Sequence, residues 1–267
     1  MRLVSHTEGF GRLEQGDDGE TRVVPMGRDI VEFLAGREHP VDGQPVPLSS
    51  LELTAPVPRP GKIVCAGLNY RDHAIETGKP IPEEPVLFAK FSNSVTADGA
   101  EVALPALSDE VDWEAELAVI IGATASTVSV QDAMDHVAGY TCVNDLSARD
   151  LQRSGGQWTR GKAIDDFLPM GPYLVTPDEV GDPQDLAISC SLNGSFVQRS
   201  TTSEMVFGVA ELISIISQTL TLEPGDCIAT GTPPGVGMAM DPPRFLQAGD
   251  VVVVDIERVG SLTTVMA

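Results

Sequence analysis

The chain has 267 residues, 42% of them apolar and 21% charged, the make-up of a globular protein with one large domain or one with a small appendage. Its 39 Asp and Glu outweigh 17 Lys and Arg for a net charge of −22, which disfavours nucleic acid and anionic membrane surfaces as partners, since both require a basic face. Small anionic substrates remain open, because a metal ion or a few cations reverse the sign locally.

No apolar stretch of about 7–15 residues opens the chain, so no secretory signal is expected. The longest apolar runs, such as LAVIIGATA from Leu117, fall short of the roughly 18 residues that span a bilayer. Cys65, Cys142, Cys190 and Cys227 are scattered among apolar neighbours without a CxxC pair, the pattern of buried thiols in a reducing, cytoplasmic compartment.

Residues 1–58 are expected to form a small β-rich N-terminal domain. RLVSHT and GETRVVPM cluster β-formers around the turn EQGDDGE, and DIVEFLAG reads as a short helix ending at Gly36. Pro56, Pro58 and Pro60 then exclude a helix or central strand, which places the boundary there.

Residues 59–267 form the second, larger domain. KIVCAGLNY reads as a buried strand and RDHAIETG as a short helix stopped by Gly78. On one helical turn His73 and Glu76 share a face, and a carboxylate beside an imidazole makes a usable general base near neutral pH. The same spacing suits an exposed ion pair. Of the other histidines, His6 lies in the opening unit, His39 in a Pro/Gly loop and His136 in an expected helix, which leaves His73 as the candidate.

In DWEAELAVIIG the strand period of two puts Asp112, Glu114 and Glu116 on one face. Carboxylates crowded at a buried boundary point to a hard cation, Mg²⁺ or Mn²⁺; an acidic edge strand that discourages pairing is the alternative. VQDAMDHVAGYTCVNDL reads as a helix followed by a strand. Asp145 at its end either completes a three-carboxylate site or caps the segment SARDLQ, which contains Arg149.

Gly156 to Lys162 spells GxxxxGK, yet Ala163 stands where a phosphate-binding loop needs Ser or Thr and no clear strand precedes it. Nucleotide is therefore not expected, and Lys162 is read as a cation facing an anionic substrate. SEMVFGVAELISIISQTLT is an amphipathic helix with Met205, Val209, Leu212, Ile213 and Ile216 at helical spacing. LEPGDCIATGT and AGDVVVVDIERVG are strands entered through Gly-Asp turns. The TGTPPGVG turn after the first either holds a carboxylate or is an ordinary tight connection. Strands outnumber helices without alternating with them, so the expected class is mainly β, α+β, and not a doubly wound parallel sheet.

In this order, GLNYRDHAIETG, PVLFAKFSNSV, VDWEAELAVIIG, HVAGYTCVNDLSARDLQ, QWTRGKAIDDFLPMGP, MVFGVAELI and PGDCIATGTPPGVG resemble the fumarylacetoacetate hydrolase family. The likeness is to its short branch, with oxaloacetate tautomerases, hydroxyheptadienedioate isomerases and acylpyruvases, over about residues 60–267. The resemblance implies a mixed β-sandwich roll, a homodimer, and Mg²⁺ or Mn²⁺ held by Glu114, Glu116 and Asp145. It further implies His73, Glu76 and Lys162 as catalytic residues, and Gln152, Thr232, Lys90 and Arg149 as substrate-binding residues. Two departures stand out: Phe91 follows Lys90 where proline is frequent, and Leu68 occupies a position held by arginine in some acylpyruvase-like members.

The activity so implied is on small anionic 2-oxo (di)carboxylates through a metal-stabilised enolate. C–C hydrolysis of acylpyruvates is the favoured outcome, with isomerisation, tautomerisation or oxaloacetate-type decarboxylation as alternatives from the same site. A non-catalytic 2-oxo acid binder would need the carboxylates without the His73–Glu76 dyad.

Overall fold

Every residue of strand Ala115–Ile121 is buried, because both faces of its sheet are covered. Ala115, Leu117, Val119 and Ile121 enter one hydrophobic cluster, while Ala118 and Ile120 enter another on the opposite face. The structure, a computed structural model, describes residues 1–16, 18–38, 41 and 43–267. His39, and Asp17 of the expected EQGDDGE turn, lie outside the described residues.

Ala115–Ile121 pairs antiparallel with Val137–Asn144 on one side and with Cys227–Ala229 on the other. Beyond Val137–Asn144 the sheet continues through Leu168–Val175, Arg2–His6, Gly9–Gln15 and Thr21–Gly27 to Val46–Pro47. In the other direction it runs through Ile63–Gly67 to Val86–Lys90 at the edge. A second sheet, of Ser195–Thr201, Ala187–Leu192, Val251–Ile256, Gly260–Met266 and Glu101–Val102, packs over one face. Its Ile188, Cys190, Val252, Val254 and Leu262 share a core with Leu117 and Val119. The mainly β, α+β sandwich expected from the sequence is the fold observed.

The opening strands join the large sheet through antiparallel pairing of Leu3 with Leu174. Helix Ile30–Leu34 is capped by Asp29, whose side chain accepts from the Val31 and Glu32 amides. Its Ile30 packs with Phe10 and Met26 in the second core. No helix among the described residues is long and apolar enough to cross a membrane.

Three expected elements differ. The helix over VQDAMDHV is a single 3₁₀ turn, Ala133–His136, because Val137 already enters the strand. The amphipathic helix is shorter than its apolar pattern, covering Val209–Ser217, while Met205 lies before it in an isolated bridge with Tyr70. The continuous strand from Asp112 is broken at Trp113 and Glu114: Val111–Asp112 pairs with Ser147–Ala148 in a separate ribbon. Trp113 is buried at the break and its Nε1 donates to the Gly235 carbonyl at 3.1 Å.

Candidate active site

Strand register gathers the acids. Ala115 pairs with Asn144, so Glu114 and Glu116 at the head of one strand meet Asp145 just past the end of its antiparallel neighbour. The Asp145 amide donates to the Glu114 carbonyl at 2.9 Å, and the Glu114 amide donates to Asn144 Oδ1 at 3.1 Å. One ligand oxygen from each of the three buried carboxylates lies within 4.8 Å of the others. Asp112, on the far side of the strand break, is not among them.

Buried cations surround the cluster. Lys162, on the single helical turn Thr159–Lys162, donates to Glu114 Oε2 at 2.6 Å and to Asp145 Oδ2 at 2.7 Å. Burial opposes its charge, but Asp145 and Glu114 outweigh that and hold its pKa above the usual lysine value. Burial would likewise raise the Glu114 pKa; Lys162 and Arg149 overcome it and hold the carboxyl well below the usual range. Arg149 Nη1 reaches Glu114 Oε1 at 2.7 Å.

Glu116 is the exception. Its Oε2 accepts from the Gly231 amide at 2.8 Å, while no donor among the described residues reaches Oε1. Burial, with the charges of Asp145 and Glu114, pushes its pKa well above the usual value. Three buried carboxylates whose oxygens converge this closely offer hard oxygen donors of the kind that suit a divalent cation. The donor set therefore fits the expected Mg²⁺ or Mn²⁺. Only glycine brings the 231 amide this close: its φ is 101°, and a Cβ there would lie 2.8 Å from the Asn69 Cβ.

The His73–Glu76 pair forms on helix Arg71–Glu76, with Nδ1 and Oε2 2.8 Å apart. Glu76 Oε1 accepts from the Gly235 amide at 2.8 Å, which ties the dyad to the TGTPPGVG turn. Asp72 accepts from the His73 amide and from Ser200 Oγ, fixing the helix to the second sheet.

His73, Glu114, Glu116 and Lys162 line one cavity of about 360 Å³, with Arg149, Gln152 and Thr232 in its polar wall. Leu68, Phe88, Trp158 and Met238 form the apolar wall, the Phe88 and Trp158 rings 5.2 Å apart. Lys90 differs from its expected place against the substrate. It is buried behind Asp145, donating to Asp145 Oδ1 at 2.6 Å and to the Leu146 carbonyl at 3.1 Å. Its burial lowers its pKa despite that carboxylate.

Sequence reasoning missed Gln198, which donates to Thr232 Oγ1 at 2.9 Å and accepts from the Ala115 amide at 3.0 Å. It thus joins the late turn to the strand bearing Glu116. Nothing in the alternating SFVQRST segment marks it, since the contacts depend on the second sheet's position.

The model of the fumarylacetoacetate (FAA) hydrolase C-terminal family matches residues 62–267. The human protein named oxaloacetate tautomerase FAHD2A, mitochondrial, is 51% identical over 217 residues, covering 80% of this chain and 69% of that protein. The crystal structure of 2-hydroxyhepta-2,4-diene-1,7-dioate isomerase from Mycobacterium marinum superposes with a TM-score of 0.85 at 36% identity, over 100% of this chain and 98% of that one. Fumarylacetoacetate hydrolase from Exiguobacterium antarcticum gives 0.87 at 34% identity, over 99% and 98%.

Proposed function

The chain belongs to the fumarylacetoacetate hydrolase family, and from that premise we propose that it is a tautomerase or isomerase of small 2-oxo dicarboxylates. One observation carries the reading: a carboxylate-oriented imidazole, His73, lines the same cavity as Glu114 and Glu116 of the acidic cluster and Lys162. The relatives named for tautomerisation and isomerisation support proton transfer over acylpyruvate hydrolysis, the outcome favoured on the family resemblance. The reading includes Mg²⁺ or Mn²⁺, a homodimer and a cytoplasmic location.

Glu114, Glu116 and Asp145 would hold the cation, which supplies Lewis acidity toward the 2-oxo carboxylate and so acidifies its C3–H. His73 moves the proton between C3 and the neighbouring oxygen, with Nδ1 fixed on Glu76 so that the other ring nitrogen serves the substrate. Lys162, kept charged by Asp145 and Glu114, places positive charge beside the oxygen that becomes anionic. Phe88, Trp158 and Met238 give the same cavity an apolar wall.

The test follows the ultraviolet absorbance of enolic oxaloacetate, with Mg²⁺, with Mn²⁺ and with chelator, alongside pyruvate release from acetylpyruvate. Metal-dependent acceleration of ketonisation with little pyruvate release is expected. Fast acetylpyruvate cleavage without effect on oxaloacetate would return the assignment to a C–C hydrolase.

A further inference from the structure

Asp112 shares a strand face with Glu114 and Glu116 in the sequence pattern, yet it lies outside the three-carboxylate cluster and is fully buried. Its Oδ1 accepts from the Trp113 amide at 2.9 Å and the Gly237 amide at 2.7 Å. Its Oδ2 accepts from the Met238 amide at 3.1 Å and from Arg149 Nε at 2.8 Å. Arg149 then reaches Glu114 Oε1 at 2.7 Å and Gln152 Oε1 at 3.1 Å through Nη1. One carboxylate therefore grips one edge of the guanidinium and the turn bearing Met238, while Arg149, Gln152, Glu114 and Met238 all line the cavity.

Charge gives this contact a purpose. Asp112, Glu114, Glu116 and Asp145 stand against Lys90, Arg149 and Lys162 in one connected network, four acids to three bases. Glu114 is already shared by Arg149 and Lys162. With asparagine at 112, the whole Arg149 charge would bear on Glu114, and an incoming divalent cation would compete for that carboxylate with an unopposed guanidinium.

We propose that Asp112 is a positioning residue of the metal site: by holding Arg149 along its Nε edge and offsetting its charge, it keeps Glu114 able to ligate a divalent cation. The proposal rests on the reading of Glu114, Glu116 and Asp145 as the metal ligands. Asp112 touches neither substrate nor metal and acts through Arg149.

The experiment measures Mn²⁺ affinity by the electron paramagnetic resonance signal of free Mn²⁺, on the full chain stripped by chelator. Wild type, Asp112→Asn, Arg149→Gln and the double variant are compared, each with its far-ultraviolet circular dichroism spectrum. Asp112→Asn is expected to weaken Mn²⁺ binding about 10–100-fold with an unchanged spectrum. In the Arg149→Gln background the same replacement is expected to change affinity less than about threefold, because the charge Asp112 offsets is gone.

Equal losses in both backgrounds, or an Asp112→Asn affinity within about threefold of wild type, would overturn the proposal. If Asp112→Asn alone does not fold, Arg149→Gln and the double variant decide the matter, since neither holds an unopposed guanidinium. A wild type that binds no Mn²⁺ overturns the metal reading and this proposal together. A wild type that binds while Asp112→Asn equals it overturns this proposal alone.

Discussion

The Lys162 ammonium lies 2.6 Å from Glu114 Oε2, on a carboxylate whose other oxygen is paired with Arg149. Its second contact, with Asp145 Oδ2 at 2.7 Å, makes Lys162 the bridge between two of the three acids. On the proposed reading a divalent cation would draw on the same carboxylates as this bridge, so stability would depend on metal loading.

Lys162→Met is accordingly expected to destabilise the metal-free protein by about 3–5 kcal/mol, the loss when one partner of a buried ion pair is removed. Added Mg²⁺ or Mn²⁺ should restore much of the lost Tm, because a cation binding only the folded state stabilises it by mass action. Thermal unfolding with metal and with chelator checks this. A metal-free variant as stable as wild type would mean that Glu114 and Asp145 do not depend on Lys162 for their charge balance.

His73→Ala removes the group assigned to proton transfer and leaves the acidic cluster intact. Turnover is expected to fall about 10²–10⁴-fold, with Mn²⁺ affinity and KM little changed. Steady-state kinetics and Mn²⁺ titration on the same preparation separate the two effects. Undiminished turnover would remove His73 from the mechanism.

The part of the site that was readable in the sequence is the part set by short spacing. Glu114 and Glu116 lie two apart on what was recognisably a strand, and His73 and Glu76 three apart on a recognisable helix. Asp112 fell on the same period-two face by count, but Trp113 goes into the core beneath Gly235 and the strand breaks there. Lys90 carried a charge, yet depth does not appear in a sequence, and its ammonium lies behind Asp145. Strand content was legible from the Gly and Pro turns. Strand order was not, since Leu168–Val175 lies between Arg2–His6 and Val137–Asn144 through contacts far apart in the chain.

A second ion pair network sets a pH dependence away from the site. Lys62 Nζ lies 2.9 Å from both Glu223 Oε2 and the buried Asp226 Oδ2. Burial would lower the Lys62 pKa, but its bonds to Glu223 and Asp226 outweigh that and raise it. A raised lysine pKa adds stability that is complete below the ordinary lysine value and lost as pH rises through the folded one. The Lys62 bond holds Glu223 below the usual carboxylate range, so its share is lost only as pH falls through that lowered value. Lys62→Met is expected to lower stability by about 1 kcal/mol between these limits. The gap from wild type should narrow above about pH 10.5 and below about pH 4, as followed by denaturant unfolding across pH. A gap independent of pH would attribute the loss to packing of the lysine stem.

On the proposed reading, a dicarboxylate substrate would call for a cation to meet its second carboxylate. Lys162, Arg149 and Arg153 all line the cavity, but each is engaged by carboxylates of the protein itself. Lys79 lines it too, exposed, and makes no ion pair among the described residues. Its amide donates to the Ala74 carbonyl at 3.0 Å, which fixes its backbone to the end of the His73 helix. A substrate whose 2-oxo acid end meets the acidic cluster would present its far end toward this free ammonium. Lys79→Met is therefore expected to raise KM for oxaloacetate roughly 5–10-fold with kcat nearly unchanged, the effect of about 1 kcal/mol in an exposed charge contact. A 2-oxo acid without a second carboxylate should show little change, and added salt should shrink the difference, because the contact is open to solvent. Equal KM changes for both substrates would mean that Lys79 shapes the mouth without reading the distal charge.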